Sequence, residues 1–143
     1  MKKKWYLIIG IAIIIFFSIK YYDDHREKGL DDLISYKLTQ FESLSIHEGP
    51  DRPYWTTEKR EHAEKFQDFL SQYRVKRMKD FEWNSDVSKE KGFQVTIYVK
   101  GKPLIASIYE TRLLFLNKGK YYKVINGPVD MEWVNDFVRE NPQ

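Results

Sequence analysis

Three histidines, a run of closely spaced cations and an aromatic pair beside two prolines are the residues of this chain with chemistry to offer. His25, His47 and His62 stand in separate segments, with neither i,i+4 pairing nor a metal-ligand spacing. Solvated histidines are therefore expected, with His62 partly buried beside the apolar face of a helix. Serine occurs without a GxSxG elbow or an SxxK pair. The seven glycines stand singly rather than in a phosphate-cradling loop. Asp23-Asp24 and Asp31-Asp32 are sequence neighbours on charged segments, and solvated faces explain them better than acid–base catalysis. Cysteine is absent, which removes disulfides, thiolate metal ligands, thiol nucleophiles and cysteine lipidation together. No catalytic, metal-binding or cofactor-binding set emerges, so the expectation is a non-enzymatic protein with no cofactor.

Two groups remain as candidate contacts with a partner. Arg74, Lys76, Arg77 and Lys79 follow an amphipathic helix and precede Asp80. Cations suit a helix C-terminus for ordinary dipolar reasons; they also suit an anionic partner such as a lipid headgroup, a wall polymer or an acidic protein surface. Tyr54 and Trp55 close the segment GPDRPYW (49–55). Rings held by prolines make contact anchors because they lose little entropy on binding, although buried core is the ordinary place for an aromatic. Charge along the chain is uneven. Residues 23–64 hold eleven acids against six bases, whereas Lys100, Lys102, Arg112, Lys118, Lys120 and Lys123 cluster later. An electrically two-sided domain is expected.

The elements that must carry these residues follow from periodicity. Residues 23–35 (DDHREKGLDDLIS) read as a charged stalk ending in a short helical turn with Asp31 and Asp32 near its start. The stretch 37–47 fits helix and strand spacing alike; β-branched and aromatic content favours a strand. Residues 49–55 read as a loop. Thr57 is placed to cap a helix with Glu58 and Glu61 in its first turn. Its apolar face is Ala63, Phe66, Phe69, Leu70 and Tyr73, with Glu61, Glu64, Lys65 and Asp68 turned away. After a charged connector, Phe93, Val95, Ile97 and Val99 alternate with polar residues as a half-buried strand does. Turns at 100–103 and 117–120 extend this into a meander over 104–109, 112–116 and 121–125. Asn126-Gly127-Pro128 ends it, and Asp130 caps a last helix facing inward with Met131, Trp133, Val134, Phe137 and Val138. The expected class is α+β: an antiparallel sheet of about four to five strands covered by one amphipathic helix and a C-terminal helix.

Ahead of this domain, residues 5–19 (WYLIIGIAIIIFFSI) carry no charge. Everything after Tyr22 is hydrophilic, so the chain still averages a mean hydropathy of -0.61. As a helix the 15-residue stretch spans only ~22 Å, short of a ~30 Å hydrocarbon core. Tyr21 and Tyr22 lengthen it to about 27 Å at the headgroup level, and Lys4 and Lys20 can snorkel. Three lysines precede the segment, while Lys20 followed by Asp23 and Asp24 comes after it, which keeps the N-terminus cytoplasmic. A cleaved signal peptide would need small residues just before the cut, and Phe16-Phe17-Ser18-Ile19-Lys20-Tyr21-Tyr22 offers bulky groups in every register. Uniform apolarity and the lysine flank speak against a buried core helix. The chain thus divides into 1–22, cytoplasmic tip and transmembrane signal anchor; 23–35, charged stalk; and 36–143, extracytoplasmic α+β domain. Lys2, Lys3, Lys4 and Lys20 account for four of the 24 basic residues, leaving 20 against 21 acids. A nearly neutral outer domain gives no support to nucleic-acid binding.

MKKK, an apolar anchor and a small cysteine-free α+β domain together resemble small membrane-anchored extracytoplasmic proteins (domains of unknown function) of low-G+C Gram-positive bacteria. The resemblance implies a plasma-membrane setting in a cell without an outer membrane. The leading expectation is a non-enzymatic interaction module at the outer membrane face. It would meet the bilayer through residues 5–22 and a protein or anionic wall polymer through Tyr54, Trp55, Arg74, Lys76, Arg77 and Lys79. The alternative is a small-ligand binding or sensing domain, with a pocket between helix and sheet as in cystatin-like or NTF2-like arrangements.

Overall fold

The computed structural model describes residues 2–79 and 90–142. Helix α1 (Lys2–His25) leads into β1 (Lys28–Gly29) and the single turn α2 (Leu30–Leu33). A 3-10 turn at Leu38–Gln40 opens β2 (Phe41–His47), then β3 (Trp55–Thr57), α3 (Arg60–Ser71) and β4 (Arg74–Arg77) follow. The meander is β5 (Gly92–Val99), β6 (Lys102–Tyr109), β7 (Arg112–Phe115) and β8 (Lys120–Val124), and α4 (Met131–Glu140) closes the fold. The strands form one sheet in the order β1-β4-β8-β7-β6-β5-β2-β3, and every neighbouring pair is antiparallel.

The α+β class, the apolar N-terminal helix and the antiparallel sheet stand as expected; the strand count does not. The sheet has eight strands rather than four to five. The additional ones are β1, β3 and β4, of two, three and four residues. They fall in the segments read as stalk, loop and charged connector. Strands of two to four residues span at most two periods of the alternation, too few to stand out in the sequence. Of the connector, Asp80 and residues 81–89 lie outside the described residues.

The meander forms because its strands alternate cleanly. Phe93, Val95 and Ile97 point to one face and pair across to Ile108, Ala106 and Leu104. Lys100 and Gly101 form a two-residue turn, both with positive φ, between the paired residues Val99 and Lys102, the backbone a tight hairpin requires. Helices α2, α3 and α4 lie on the Phe93 side. In α3 the expected face is buried, with Phe66, Phe69 and Leu70 in the core, and Phe66 meets Phe93 edge to face at 6.4 Å. Helix α4 packs on α3 by stacking Trp133 flat on Phe69 at 4.0 Å. Its cap is the one expected, Asp130 Oδ1 accepting the Trp133 N–H at 3.1 Å. The cap expected for α3 differs. Lys59 holds the capping position without a side-chain bond, and Thr57 lies two residues earlier, in β3.

Residues 23–35 are not a stalk. Helix α1 continues through His25, and after Arg26 and Glu27 the chain joins the sheet beside β4. Leu30, Leu33 and Ile34 are core residues, and the Leu30 N–H donates to Tyr73 O at 2.9 Å. At 24 residues, α1 is about 36 Å long. None of its side chains is buried, and it is long and apolar enough to cross a membrane.

Candidate interaction surfaces

Strand alternation divides the four cations. Within β4, Val75 is buried against the core and Arg77 shares its side, while Arg74 and Lys76 point to the opposite face. Arg74 Nε donates to Glu27 Oε1 at 2.7 Å. Arg77 donates to Asp24, and Lys120 Nζ donates to the same carboxylate at 3.2 Å. Lys76 stands directly opposite Lys123 on β8, which in turn faces Arg112 on β7. Lys79 lies beyond the strand, exposed. The expected cluster is thus two groups, one at the end of α1 and one on the open sheet face. The two-sided charge is also modified, because Asp24 and Glu27 of the acidic segment interlock with basic β4 and β8.

The aromatic pair divides in the same way. Tyr54 is exposed and stacks on His47, ring centres 4.1 Å apart. Trp55 opens β3 and is only 6% exposed. Its Nε1 donates to Asn141 O at 2.6 Å and its ring meets Phe137 edge-on at 5.2 Å. Trp55 is therefore a core residue that fastens the C-terminal helix; the reading of it as a loop contact is corrected.

His62 pairs with a hydroxyl that no motif signalled. Its Nδ1 lies 2.7 Å from Thr57 Oγ1, which also accepts the Lys59 N–H at 3.2 Å. One hydrogen lies between Oγ1 and Nδ1, carried by the hydroxyl or by the ring according to the imidazole tautomer. Trp55 and Phe137 flank the imidazole, and burial pushes its pKa down. A hydroxyl–imidazole pair has the elements of a nucleophile and its base; here both side chains are buried, and the ring packs against Trp55 and Phe137.

A cleft of about 720 Å³ opens where the ends of β2, β5 and β6 meet the start of α4. Its lining includes the apolar Phe93, Tyr109 and Met131 and the polar His47, Arg52 and Asn135. Glu90 also lines it, and accepts from Arg112 Nε at 2.6 Å and from Thr111. These bonds hold the Glu90 carboxyl below the ordinary range against its partial burial. No group of three or more potential metal ligands occurs among the described residues.

The sheet face opposite the helices is polar near β3 and aromatic beyond it. Ser45 and Thr56 hydroxyls lie 2.9 Å apart, Thr96 is the next neighbour of Ser45, and Tyr98 is exposed. Among the described residues no helix covers this face. No family model, no curated protein and no solved structure matches the chain.

Proposed function

We propose that the chain is a single-pass membrane protein, N-terminus cytoplasmic, that works as a non-enzymatic interaction module at the outer membrane face. The observation that carries this is the junction. An apolar helix with no buried side chain is joined to the sheet by two residues, and Asp24 is tied to Arg77 and Lys120. Anchored so, the domain is held in one attitude rather than swinging on a tether, and its open face has a fixed orientation toward a partner. Lys2, Lys3 and Lys4 support the orientation. The layout resemblance to small extracytoplasmic proteins of Gram-positive bacteria agrees with it.

Two measurements test the proposal. The chain has no cysteine, so Ser71→Cys, on an exposed position, gives one thiol. A membrane-impermeant maleimide should label it in intact cells; labelling only after lysis overturns the orientation. A photocrosslinker at Thr96 or Tyr98 should then capture one reproducible protein or wall polymer that the same group at Glu64, on α3, does not. Recovery of bulk lipid and abundant bystanders alone would sink the interaction role.

The cleft favours a second reading, a small-ligand binding domain. The interface between α3 and the sheet is closed, with Phe66, Phe69 and Leu70 fully packed. A ligand would therefore enter at the sheet end, over Phe93 and Tyr109. Binding of a small-molecule library that is abolished by Asn135→Trp would favour this reading over the first.

A further inference from the structure

Helix α1, with Arg77 at the end of β4, forms an open groove of about 700 Å³ whose character changes from one end to the other. Ile13, Ile14 and Phe17 line its lower part, and Lys20, Asp24 and Arg77 its upper part. From Ile13 to Asp24 the helix rises about 16 Å. Ser18, between the two parts, donates its hydroxyl to Ile14 O at 2.8 Å, so it adds no free donor to the apolar stretch. At the upper end one carboxylate, Asp24, serves both Arg77 and Lys120, which leaves one positive charge uncompensated. Lys20 adds a second within a turn of the helix. His25 is occupied, its Nδ1 bonded to Tyr21 O at 2.9 Å and its ring stacked on Tyr21.

An apolar trough ending in surplus positive charge complements an amphiphile with an anionic head. We propose that this groove seats one anionic glycerophospholipid of the leaflet next to the domain. An acyl chain lies along Ile13, Ile14 and Phe17, and the phosphate lies between Lys20 and Arg77. Guanidinium and ammonium groups are the ordinary partners of phosphate oxygens. Asp24 aligns Arg77, and a zwitterionic headgroup gains less because the trimethylammonium of choline would meet Lys20 and Arg77. The seat depends on the anchor reading proposed above, and it would fix the height and tilt of the domain on the membrane.

The test uses the full chain in mild detergent, offered dioleoylphosphatidylglycerol or dioleoylphosphatidylcholine, with retained lipid counted by native mass spectrometry. One phosphatidylglycerol should be retained in preference to phosphatidylcholine. Lys20→Gln and Arg77→Gln should each weaken that retention about five-fold, the effect expected for one cation at a lipid headgroup. Lys20 is exposed on α1, so its variant reports even where Arg77→Gln disturbs folding. Lys118, exposed and outside the groove, is the control. An equal loss in Lys118→Gln indicates a diffuse basic surface and overturns the seat, as does equal retention of the two lipids. Failure of the chain to enter vesicles of either lipid would instead sink the anchor itself.

Discussion

Burial disfavours the His62 imidazolium and pushes the folded pKa down. Glu61, near Nε2 but exposed, opposes this only in part. The folded pKa is thus lowered from an unfolded value near ~6.5. A depressed folded pKa contributes stability that is present above the unfolded value. That contribution is lost as pH falls below it, since only the unfolded chain then takes up the proton. Urea unfolding at pH 8 and pH 5.5 should show the loss, and His62→Gln should shrink the difference between the two; an unchanged difference would assign it to other groups. Tyr122 poses the converse case. It is fully buried and its hydroxyl has no hydrogen-bond partner among the described residues. Tyr122→Phe should therefore raise stability by about 1 kcal/mol, because an unsatisfied buried hydroxyl is costly. A fall of that size in chemical denaturation would show that the hydroxyl is satisfied in solution. Neither role could be read from residue type alone. Tyr54 and Trp55 make the same point: they are adjacent aromatics, and only the pairing of Trp55 with Ile46 on β2 decides which is buried.

At the scale of elements, the sheet depends on a place where two strands leave no room. Gly92 faces Tyr109 across the β5–β6 pair. A Cβ at Gly92 would lie 2.6 Å from Tyr109 Cδ1 and 2.9 Å from Ile108 O. The ring can swing aside, but the backbone carbonyl cannot. Gly92→Ala should lower stability by about 1–3 kcal/mol, the usual range for overpacking, measured by urea midpoint. An unchanged midpoint would mean the strands separate freely there. Both residues also line the cleft, so the same variant should narrow it. The meander around this pair was legible because its two longest strands run eight residues each, enough for repeated alternation. The amphipathic face of α3 was legible for the corresponding reason. Strand β4 was not: Arg74-Val75-Lys76-Arg77 has a single apolar residue, and its place in the sheet comes from β8 and β1 on either side. The division of its cations between two faces followed from that hidden strand.

At the scale of the molecule, the question is where the folded domain begins. Charge density made residues 23–35 look like a solvated tether, and a domain starting at Tyr36 followed. The packing argues otherwise. Leu30, Leu33 and Ile34 are at most 6% exposed, held by the β1–β4 pairing and by the Leu30 N–H to Tyr73 O bond. Burying three such side chains is worth roughly 5–9 kcal/mol at 1.5–3 kcal/mol each, an upper estimate. That is comparable with the whole stability of an ordinary domain, about 5–15 kcal/mol. A chain of residues 26–143 should accordingly unfold cooperatively, with a midpoint close to that of the full-length protein. A chain of residues 36–143 should be largely unfolded, or should melt well below it. Circular dichroism and thermal scans on the two chains decide the matter. Equal midpoints would return residues 26–35 to the status of a tether. They would also remove the rigid junction on which the fixed attitude of the domain depends, while leaving the apolar helix able to anchor a freely swinging domain.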